Sequence, residues 1–316
     1  MARQKHILVL GAGVIGLQTA ISLLEVGYRV TILAEHLPGD DSVEYTSPWT
    51  GPHDFIPNGP ASLWYAPHVR NFKVLPKSDL PSPFVSGAIH DGIAINTTPY
   101  LKSLVGRIRS LGGSIIRGEL PTTGGLLHAL DAAESILHSH QITKPVSLVV
   151  NATGLGACHL VPDSSVFPIR GQTVTVKIEA KHITTMFYPD ANASITPRAG
   201  SGVSVLGSTY EIGNWDREPD PEVTKTILRR CKPLAPELLN KDGEFDVVSV
   251  NVAFRPGRKG GPRVEIEEMK SEDGQSKRVV CHAYGHAGGG FQNSFGSASK
   301  AVGLIDDWFS ERDLKL

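Results

Sequence analysis

The apolar positions at the start of the chain predict a strand, a helix and a second strand. Residues 6–10 (HILVL) form a short apolar run, as is typical of a buried parallel strand. A glycine-rich turn follows, and apolar residues then recur over 17–24 at the three-to-four-residue spacing of a helix. A second apolar run at 28–34 completes the pattern. This order predicts a βαβ unit.

The pattern changes in the middle of the chain and changes back near its end. Alternating apolar and polar positions between 168 and 210 predict a series of β-strands. Helical and apolar periodicity on either side of this stretch predicts further α/β structure. The other predicted elements are helices at 98–111, 125–138, 221–234 and 292–310 and strands at 147–151, 247–256 and 279–283.

These elements predict the α/β class, with a Rossmann-like nucleotide-binding domain into which a sheet-rich substrate-binding domain is inserted. We expect the nucleotide-binding domain to comprise residues 1–58, 125–167 and 256–316. The substrate-binding domain is expected to comprise residues 59–124 and 168–255.

Composition and charge exclude several classes of function. The 316 residues are 40% hydrophobic and 20% charged, with a net charge of −1, which argues against nucleic acid and anionic membranes as partners. No apolar stretch reaches the roughly 20 residues of a membrane-spanning helix. The three cysteines are scattered, so their spacing predicts neither a metal site nor a disulfide framework.

The first glycine-rich turn has the residues of a dinucleotide site. Gly11, Gly13 and Gly16 follow a strand and open a helix. The first glycine permits a tight turn, the second lets a diphosphate approach the backbone, and the third lets helix and strand pack closely. Glu35 ends the second strand, where a carboxylate accepts hydrogen bonds from the adenosine ribose.

The motif alone does not distinguish FAD from NAD. A nicotinamide enzyme is expected to continue with further βαβ units after residue 35, whereas a Pro- and Gly-rich loop follows here. This order favours FAD. The later stretch Val150-Asn151-Ala152-Thr153-Gly154 then predicts a second turn of the same domain, with small residues where the backbone passes close to the cofactor.

Seven segments together resemble the D-amino acid oxidase family, which includes D-aspartate oxidase, and fungal members most closely. In order they are HILVLGAGVIGL, EYTSPWTG, NATGLGA, PIRGQTVTV, GSTYEIGNWD, VAFRPGRKGGPRVE and HAYGHAGGGFQNSFG. The resemblance implies non-covalently bound FAD and oxidation of D-amino acids by hydride transfer from Cα to flavin N5. The implied products are 2-oxo acid, ammonia and, after reaction with O2, H2O2.

The resemblance also implies roles for individual residues. Arg255 matches the arginine that binds the substrate carboxylate, a task for which a guanidinium offers two parallel hydrogen bonds. Tyr210 matches a tyrosine that assists it, Gln292 is expected near the flavin or the substrate amine, and Ser194 lies in the pocket. The expected cofactor-binding residues are Gly11, Gly13, Val14, Ile15, Gly16, Ala34, Glu35, Thr46, Ser47, Gly51, His53, Asp54, Asn151, Thr153, Gly154, Gly288, Gly289, Gly290, Phe291 and Gln292.

Apart from a short stretch before the HAYG motif, where some yeast members have a longer loop that supports their dimer, the chain departs from the family pattern at two places. Ser194 stands where the family has a tyrosine, so either the pocket is wider or Tyr188 fills the space. The segment after residue 54 is shorter than in the family by a few dozen residues. These departures leave open a catalytically impaired flavin-binding homologue.

Three further questions stay open at this stage. A D-aspartate oxidase is a second alternative, with Arg198 or His53 as the cation that an acidic side chain requires. A homodimer is left open. The final residues LKL resemble a peroxisomal signal, so a peroxisomal or a cytoplasmic location is expected.

Overall fold

The computed structural model describes residues 5–47, 66–80, 86–161, 163–188, 191–270 and 277–313. Within these ranges the predicted α/β architecture is confirmed, with one sheet of mostly parallel strands and one of antiparallel strands. The strands are β1 (His6–Leu10), β2 (Arg29–Ala34), β3 (Lys73–Val74), β4 (Ala88–Ile89), β5 (Ser114–Arg117), β6 (Val146–Asn151), β7 (Val166–Lys177), β8 (Thr184–Tyr188), β9 (Ala191–Arg198), β10 (Val203–Gly207), β11 (Glu211–Ile212), β12 (Val247–Arg258), β13 (Arg263–Lys270) and β14 (Lys277–Tyr284). The helices are α1 (Val14–Glu25), α2 (Thr97–Ser110), α3 (Gly125–Ser139), α4 (Ala157–Leu160), α5 (Pro221–Cys231) and α6 (Gly290–Asp313).

The first sheet has the strand order β13-β14-β6-β1-β2-β5, and β14, β6, β1, β2 and β5 run parallel. Strand β1 is buried on both faces: Ile7 and Val9 belong to the core that contains α1, α2 and α6, and Leu8 and Leu10 to the core that contains α3. This burial explains why β1 is almost wholly apolar in sequence. The carboxyl ends of the five parallel strands share one edge of the sheet.

The second sheet is antiparallel and has the order β11-β7-β10-β9-β8, with β12 also paired to β7. Strands β7 and β12 pair along nearly their whole length, in a register that joins Arg255 to Ile169 and Ala253 to Gly171. Helix α5 covers this sheet through Ile227 and Cys231. The long β7–β12 pair is the element that supports the residues discussed below.

Residues 97–117, which contain α2 and β5, pack with the first sheet. The expected boundaries put residues 59–124 in the substrate-binding domain, whereas β5 pairs in parallel with β2 at the edge of the first sheet. Helix α2 packs in the same core as α1 through Leu101 and Ile108. Burial of these apolar side chains against the first sheet favours placing residues 97–117 with the nucleotide-binding domain. Within the described ranges, no helix has the length and apolar character that crossing a membrane requires.

Candidate active site

A cleft opens at the edge of the first sheet where the parallel strands end, which is where open α/β sheets bind ligands. It has a volume of about 280 Å³. Its walls come from the turns that follow β1, β2, β5, β6 and β14, from the loop at 44–47 and from β12. The residues expected to bind a cofactor that line it are Gly11, Gly13, Val14, Ile15, Ala34, Glu35, Thr46, Ser47, Thr153, Gly154 and Gly290.

The glycines of the first turn are required by close packing. A Cβ on Gly16 would overlap the carbonyl oxygen of Gly11, and a Cβ on Gly11 would lie 2.5 Å from the carbonyl oxygen of Ala152. Gly11 also has a φ of 99°, in the region that favours glycine. Any larger residue at these positions would push α1 and the turn after β6 away from the cleft. The turn therefore fits a ligand that approaches the backbone directly.

The start of α1 is suited to bind an anion. Gly13 precedes the helix without a side-chain cap, and no acidic residue lies in the first turn. The backbone N–H of Val14 donates to the Ser47 hydroxyl at 3.0 Å, and the Tyr45 hydroxyl donates to the carbonyl of Ala12 at 2.6 Å. Unpaired backbone N–H groups and the helix dipole attract a diphosphate at such a position.

The far end of the cleft presents the carboxylate of Glu35. Arg117 lies beside it, but Arg117 pairs with Asp40 through Nη1 at 2.6 Å and donates to the backbone carbonyl of Glu35 at 3.0 Å. The hydrogen bond from Arg117 lowers the pKa of Asp40 to about 2. Arg117 pairs with Asp40, and the described contact of the Glu35 carboxylate is His36 Nε2 at 3.6 Å from Oε1. The Glu35 carboxylate has further acceptor sites for sugar hydroxyls. These features of the cleft fit an adenine dinucleotide.

Thr153 lines the cleft, whereas Asn151 lies beneath it. The Asn151 Oδ1 atom accepts hydrogen bonds from the Thr153 hydroxyl at 2.7 Å and from the Thr153 N–H at 3.3 Å. Asn151 is fully buried and also contacts His282. It therefore orients Thr153 and does not face the cleft itself.

A tight turn at 285–289 closes the other side of the cleft and leads into α6. Burial lowers the pKa of His286 to about 4, and its Nε2 atom is 3.0 Å from the Ser297 hydroxyl on α6. His286 is therefore neutral near pH 7 and attaches the turn to the helix. The turn lies against β12.

Arg255, on β12, is buried to 3% exposure and has no carboxylate partner among the described residues. Its Nη2 atom donates to the Ser208 hydroxyl at 2.7 Å, and its Nη1 atom donates to the Thr209 carbonyl at 3.3 Å. The ring of Tyr210 lies 5.8 Å from the guanidinium carbon. Burial lowers the pKa of Arg255 to about 10, so the group is still a cation at neutral pH. A buried cation without a counterion favours binding of an anion.

The two neighbours of Arg255 along β12 connect it to the cleft. Phe254 and Pro256 line the cleft, and Pro256 packs against the turn after β6, at 3.7 Å from the position of a Cβ on Gly154. The Thr46 hydroxyl donates to the carbonyl of Phe254. Strand β12 thus connects the cleft, which Phe254 and Pro256 line, with Arg255, the residue expected to bind the substrate carboxylate.

Arg170 and Gln172, in the segment PIRGQTVTV, use their side chains to hold the loops beside the second sheet. Arg170 pairs with Glu211 at 2.9 Å and donates to backbone carbonyls at 216 and 218, so it fixes the loop after β11. Gln172 binds the backbone of Asp220 at the start of α5. Gly171, between them, lies directly under the Arg255 guanidinium.

Several predicted residues lie away from Arg255 or the cleft. Ser194 is buried, and its hydroxyl donates to the carbonyl of Gly207, so it does not contact Arg255.

The residues expected near the flavin at the start of α6 are not all in the cleft. Gln292 is exposed in the first turn of α6, and Phe291 packs against Tyr100 with ring centroids 5.9 Å apart. Gly288 and Gly289 lie in the turn before α6, Gly16 packs behind the cleft, and Gly51, His53 and Asp54 lie outside the described residues.

Sequence reasoning missed some residues that the fold brings to the site. Ser208 and Thr209 hold Arg255, and Trp215 lines the cleft and packs against Phe254 with ring centroids 5.7 Å apart. All of them lie in or beside the segment GSTYEIGNWD, so the segment was recognised but not the role of each residue. Their contacts join distant parts of the chain, which sequence spacing does not reveal.

Comparison with known proteins places these features in a family. The family model for FAD dependent oxidoreductases matches residues 66–303. The chain is 34% identical to a D-amino-acid oxidase of Schizosaccharomyces pombe, over 96% of both chains. It is 30% identical to a D-amino-acid oxidase of Fusarium vanettenii, over 95% of this chain and 96% of the relative. These alignments extend over 354 and 362 positions, more than the 316 residues of this chain, so both contain gaps.

Solved structures share the fold at lower identity. A glycine oxidase from Geobacillus kaustophilus superimposes with a TM-score of 0.64 at 17% identity, over 96% of this chain and 95% of that one. An L-proline dehydrogenase from P. horikoshii gives a TM-score of 0.65 at 14% identity, over 96% and 94% of the two chains. At these identities the likeness supports the fold alone.

Proposed function

The chain belongs to the family of FAD-dependent oxidoreductases, and we propose that it is a D-amino-acid oxidase that binds FAD non-covalently. The observation that carries the proposal is Arg255, a buried cation without a described carboxylate partner, on the strand whose Phe254 and Pro256 line the cofactor cleft. The D-amino-acid oxidases to which the chain is similar over nearly its full length support the substrate class.

Arg255 binds the α-carboxylate of the substrate. Its guanidinium lies between the backbone of Gly171 and the Ser208–Thr209 segment, so its orientation is fixed before the substrate arrives. A fixed guanidinium forms two parallel, charge-assisted hydrogen bonds with a carboxylate. Tyr210 is half exposed, with its ring 5.8 Å from the guanidinium carbon of Arg255, and would border the bound carboxylate.

The residues that line the cleft would hold FAD, which would supply a two-electron acceptor for the hydride of the substrate Cα and would be reoxidised by O2 with release of H2O2. The protein orients the substrate through Arg255, and His286, which lines the cleft, brings no charge to it because His286 is buried, neutral near pH 7 and bonded to Ser297. No side-chain base is assigned, and the substrate amine enters in its neutral form. Hydrolysis of the imino acid then yields the 2-oxo acid and ammonia.

The cations of the described residues favour a neutral substrate over an acidic one. Arg198, the candidate partner for an acidic side chain, is buried and donates to the Thr97 hydroxyl at 3.1 Å at the start of α2. Arg170 is paired with Glu211, and Arg258 is paired with Asp163. His53, the other candidate, lies outside the described residues. The peroxisomal location and the homodimer stay predictions.

A panel of D- and L-amino acids with detection of H2O2 tests this proposal. We expect activity on neutral D-amino acids, weak activity on D-aspartate and none on the L-forms, together with loss of the flavin absorption band under anaerobic D-alanine. Acid precipitation should release the flavin into the supernatant. Bound flavin without turnover of any D-amino acid would instead support the impaired homologue, and a preference for D-aspartate would support the acidic enzyme.

A further inference from the structure

We propose that His282 is a positioning residue for the cofactor cleft, and that it acts as a hydrogen-bond acceptor which holds Asn151 and, through it, Thr153 in place. The proposal rests on the family's cofactor and not on the substrate. His282 lies on β14, is fully buried, and does not line the cleft. Its role therefore operates through the residues that it contacts.

The hydrogen bonds of Asn151 fix the direction of its amide. Its Oδ1 atom accepts from both the N–H and the hydroxyl of Thr153, so its Nδ2 atom faces the other way, toward His282 Nδ1 at 3.3 Å. An amide nitrogen is only a donor, so Nδ1 of His282 has to be the acceptor. The proton of the neutral imidazole is then on Nε2.

The other side of the ring agrees with this tautomer. His282 Nε2 lies 3.0 Å from the Glu267 carboxylate on β13, which only accepts when ionised. Glu267 is itself held by Arg263, whose Nη2 atom donates to it at 2.8 Å. Burial lowers the pKa of His282, so the ring is neutral at the pH where the enzyme is expected to work.

The consequence for the cleft lies in the Thr153 hydroxyl. Thr153 lines the cleft, and because its hydroxyl donates its proton to Asn151, the hydroxyl oxygen can only accept a hydrogen bond from a ligand there. A cofactor hydroxyl group has the matching donor, whereas a phosphate oxygen does not. If Asn151 lost its partner at His282, its amide would be free to rotate, and Thr153 would lose its fixed orientation.

Two substitutions separate this role from general packing. In His282→Asn, the side-chain oxygen lies at the same number of bonds from Cα as Nδ1, so the contact with Asn151 is kept and the contact with Glu267 is lost. In His282→Gln, the nitrogen corresponds to Nε2, so the contact with Glu267 is kept and the acceptor for Asn151 is lost. His6→Asn is the matched control, since His6 is equally buried in the same sheet but bonds Thr31 and Lys144.

The readout is the dissociation of FAD from the diluted holoenzyme, followed by the fluorescence of the released flavin. We expect His282→Gln to raise the Kd for FAD about tenfold, as for the loss of one buried hydrogen bond, and His282→Asn to stay within about threefold of the parent. His6→Asn should lower Tm and leave the Kd unchanged. Equal Kd values for the two His282 variants, or tighter binding by His282→Gln, would overturn the proposal.

A second measurement, of the His282 tautomer by NMR, does not require a variant that loses the contact between His282 and Asn151. In holoenzyme labelled with 15N-histidine, the resonances that disappear in His282→Asn belong to His282. We expect them to have the pattern of an Nε2–H tautomer with an unprotonated Nδ1. An Nδ1–H tautomer, or a doubly protonated ring near pH 7, would contradict the proposal even if every other variant failed to fold.

Discussion

The guanidinium of Arg255 occupies the space that a side chain at position 171 would fill. A Cβ on Gly171 would lie 2.6 Å from Nη2 and 2.8 Å from Cζ of Arg255. The two residues are on neighbouring strands, β7 and β12, and Gly171 pairs in register with Ala253. The glycine therefore sets the position of the cation, although it carries no functional group.

We expect Gly171→Ala to displace the Arg255 guanidinium and to raise KM for D-amino acids about tenfold or more, with FAD still bound. The added methyl group overlaps the guanidinium, while the glycine has no positive φ that alanine would strain. Steady-state kinetics and the flavin absorption spectrum of the purified variant check both parts. Gly303→Ala on α6, where a Cβ meets nothing within 4 Å, is the matched control and should leave KM unchanged. An unchanged KM in Gly171→Ala would contradict the expected displacement.

Replacement of Arg255 by alanine should raise KM about a hundredfold or more and leave the flavin bound. A charge-assisted, bidentate contact to a buried group contributes about 3 kcal/mol, because the substrate carboxylate would otherwise be desolvated without a partner. Arg255→Lys should recover little, since an ammonium lacks the planar pair of donors and does not reach both Ser208 and the ligand. KM values close to that of the parent in the alanine variant would remove Arg255 from the substrate site.

Ser194→Tyr tests the pocket that the sequence left open. A serine in place of the family's tyrosine suggests a wider pocket, but Ser194 is only 7% exposed and its hydroxyl is bonded to the carbonyl of Gly207. A phenol at this position has to displace the segment that carries Ser208, which holds Arg255. We therefore expect higher KM values for both D-alanine and D-phenylalanine. Tighter binding of D-alanine with weaker binding of D-phenylalanine would instead support the wide pocket.

His286 should make the free energy of unfolding depend on pH. Its pKa is lowered by burial from 6.5 to about 4, so between these values the unfolded chain binds a proton that the folded chain does not. The stabilisation of the folded state by neutral His286 is therefore fully present above about pH 6.5 and is lost as the pH falls toward 4. The shift corresponds to about 3 kcal/mol.

The variant His286→Gln removes this titration and retains a nitrogen that reaches Ser297. We expect its unfolding free energy, measured by urea denaturation of the holoenzyme between pH 7 and 4, to fall less steeply than that of the parent. Titration of His6 and His282, whose pKa values are also lowered, keeps part of the slope in the variant. Parallel curves for the two proteins would show that His286 does not contribute.

The sequence by itself determined the cofactor half of the protein, because the residues concerned are adjacent along the chain. Gly11, Gly13 and Gly16 act within one strand-turn-helix unit, so spacing alone predicts their roles. The apolar run that forms β1 is likewise a local property. The resemblance to the D-amino acid oxidase family added Arg255 by matching a short motif.

Only the tertiary structure decided what surrounds Arg255. Gly171, Ser208 and Thr209 come to it from 46 to 84 positions away in sequence, and their contacts depend on the pairing of β7 with β12 and on the path of the following loop. The same holds for β5, a four-residue strand that joins the first sheet only because β2 offers it an edge. Ser194 and Asn151 show the reason most directly. The sequence predicted each as a residue of the site itself, but each is buried and bonds another residue instead, Ser194 the carbonyl of Gly207 and Asn151 the Thr153 that lines the cleft. Burial is set by the whole fold.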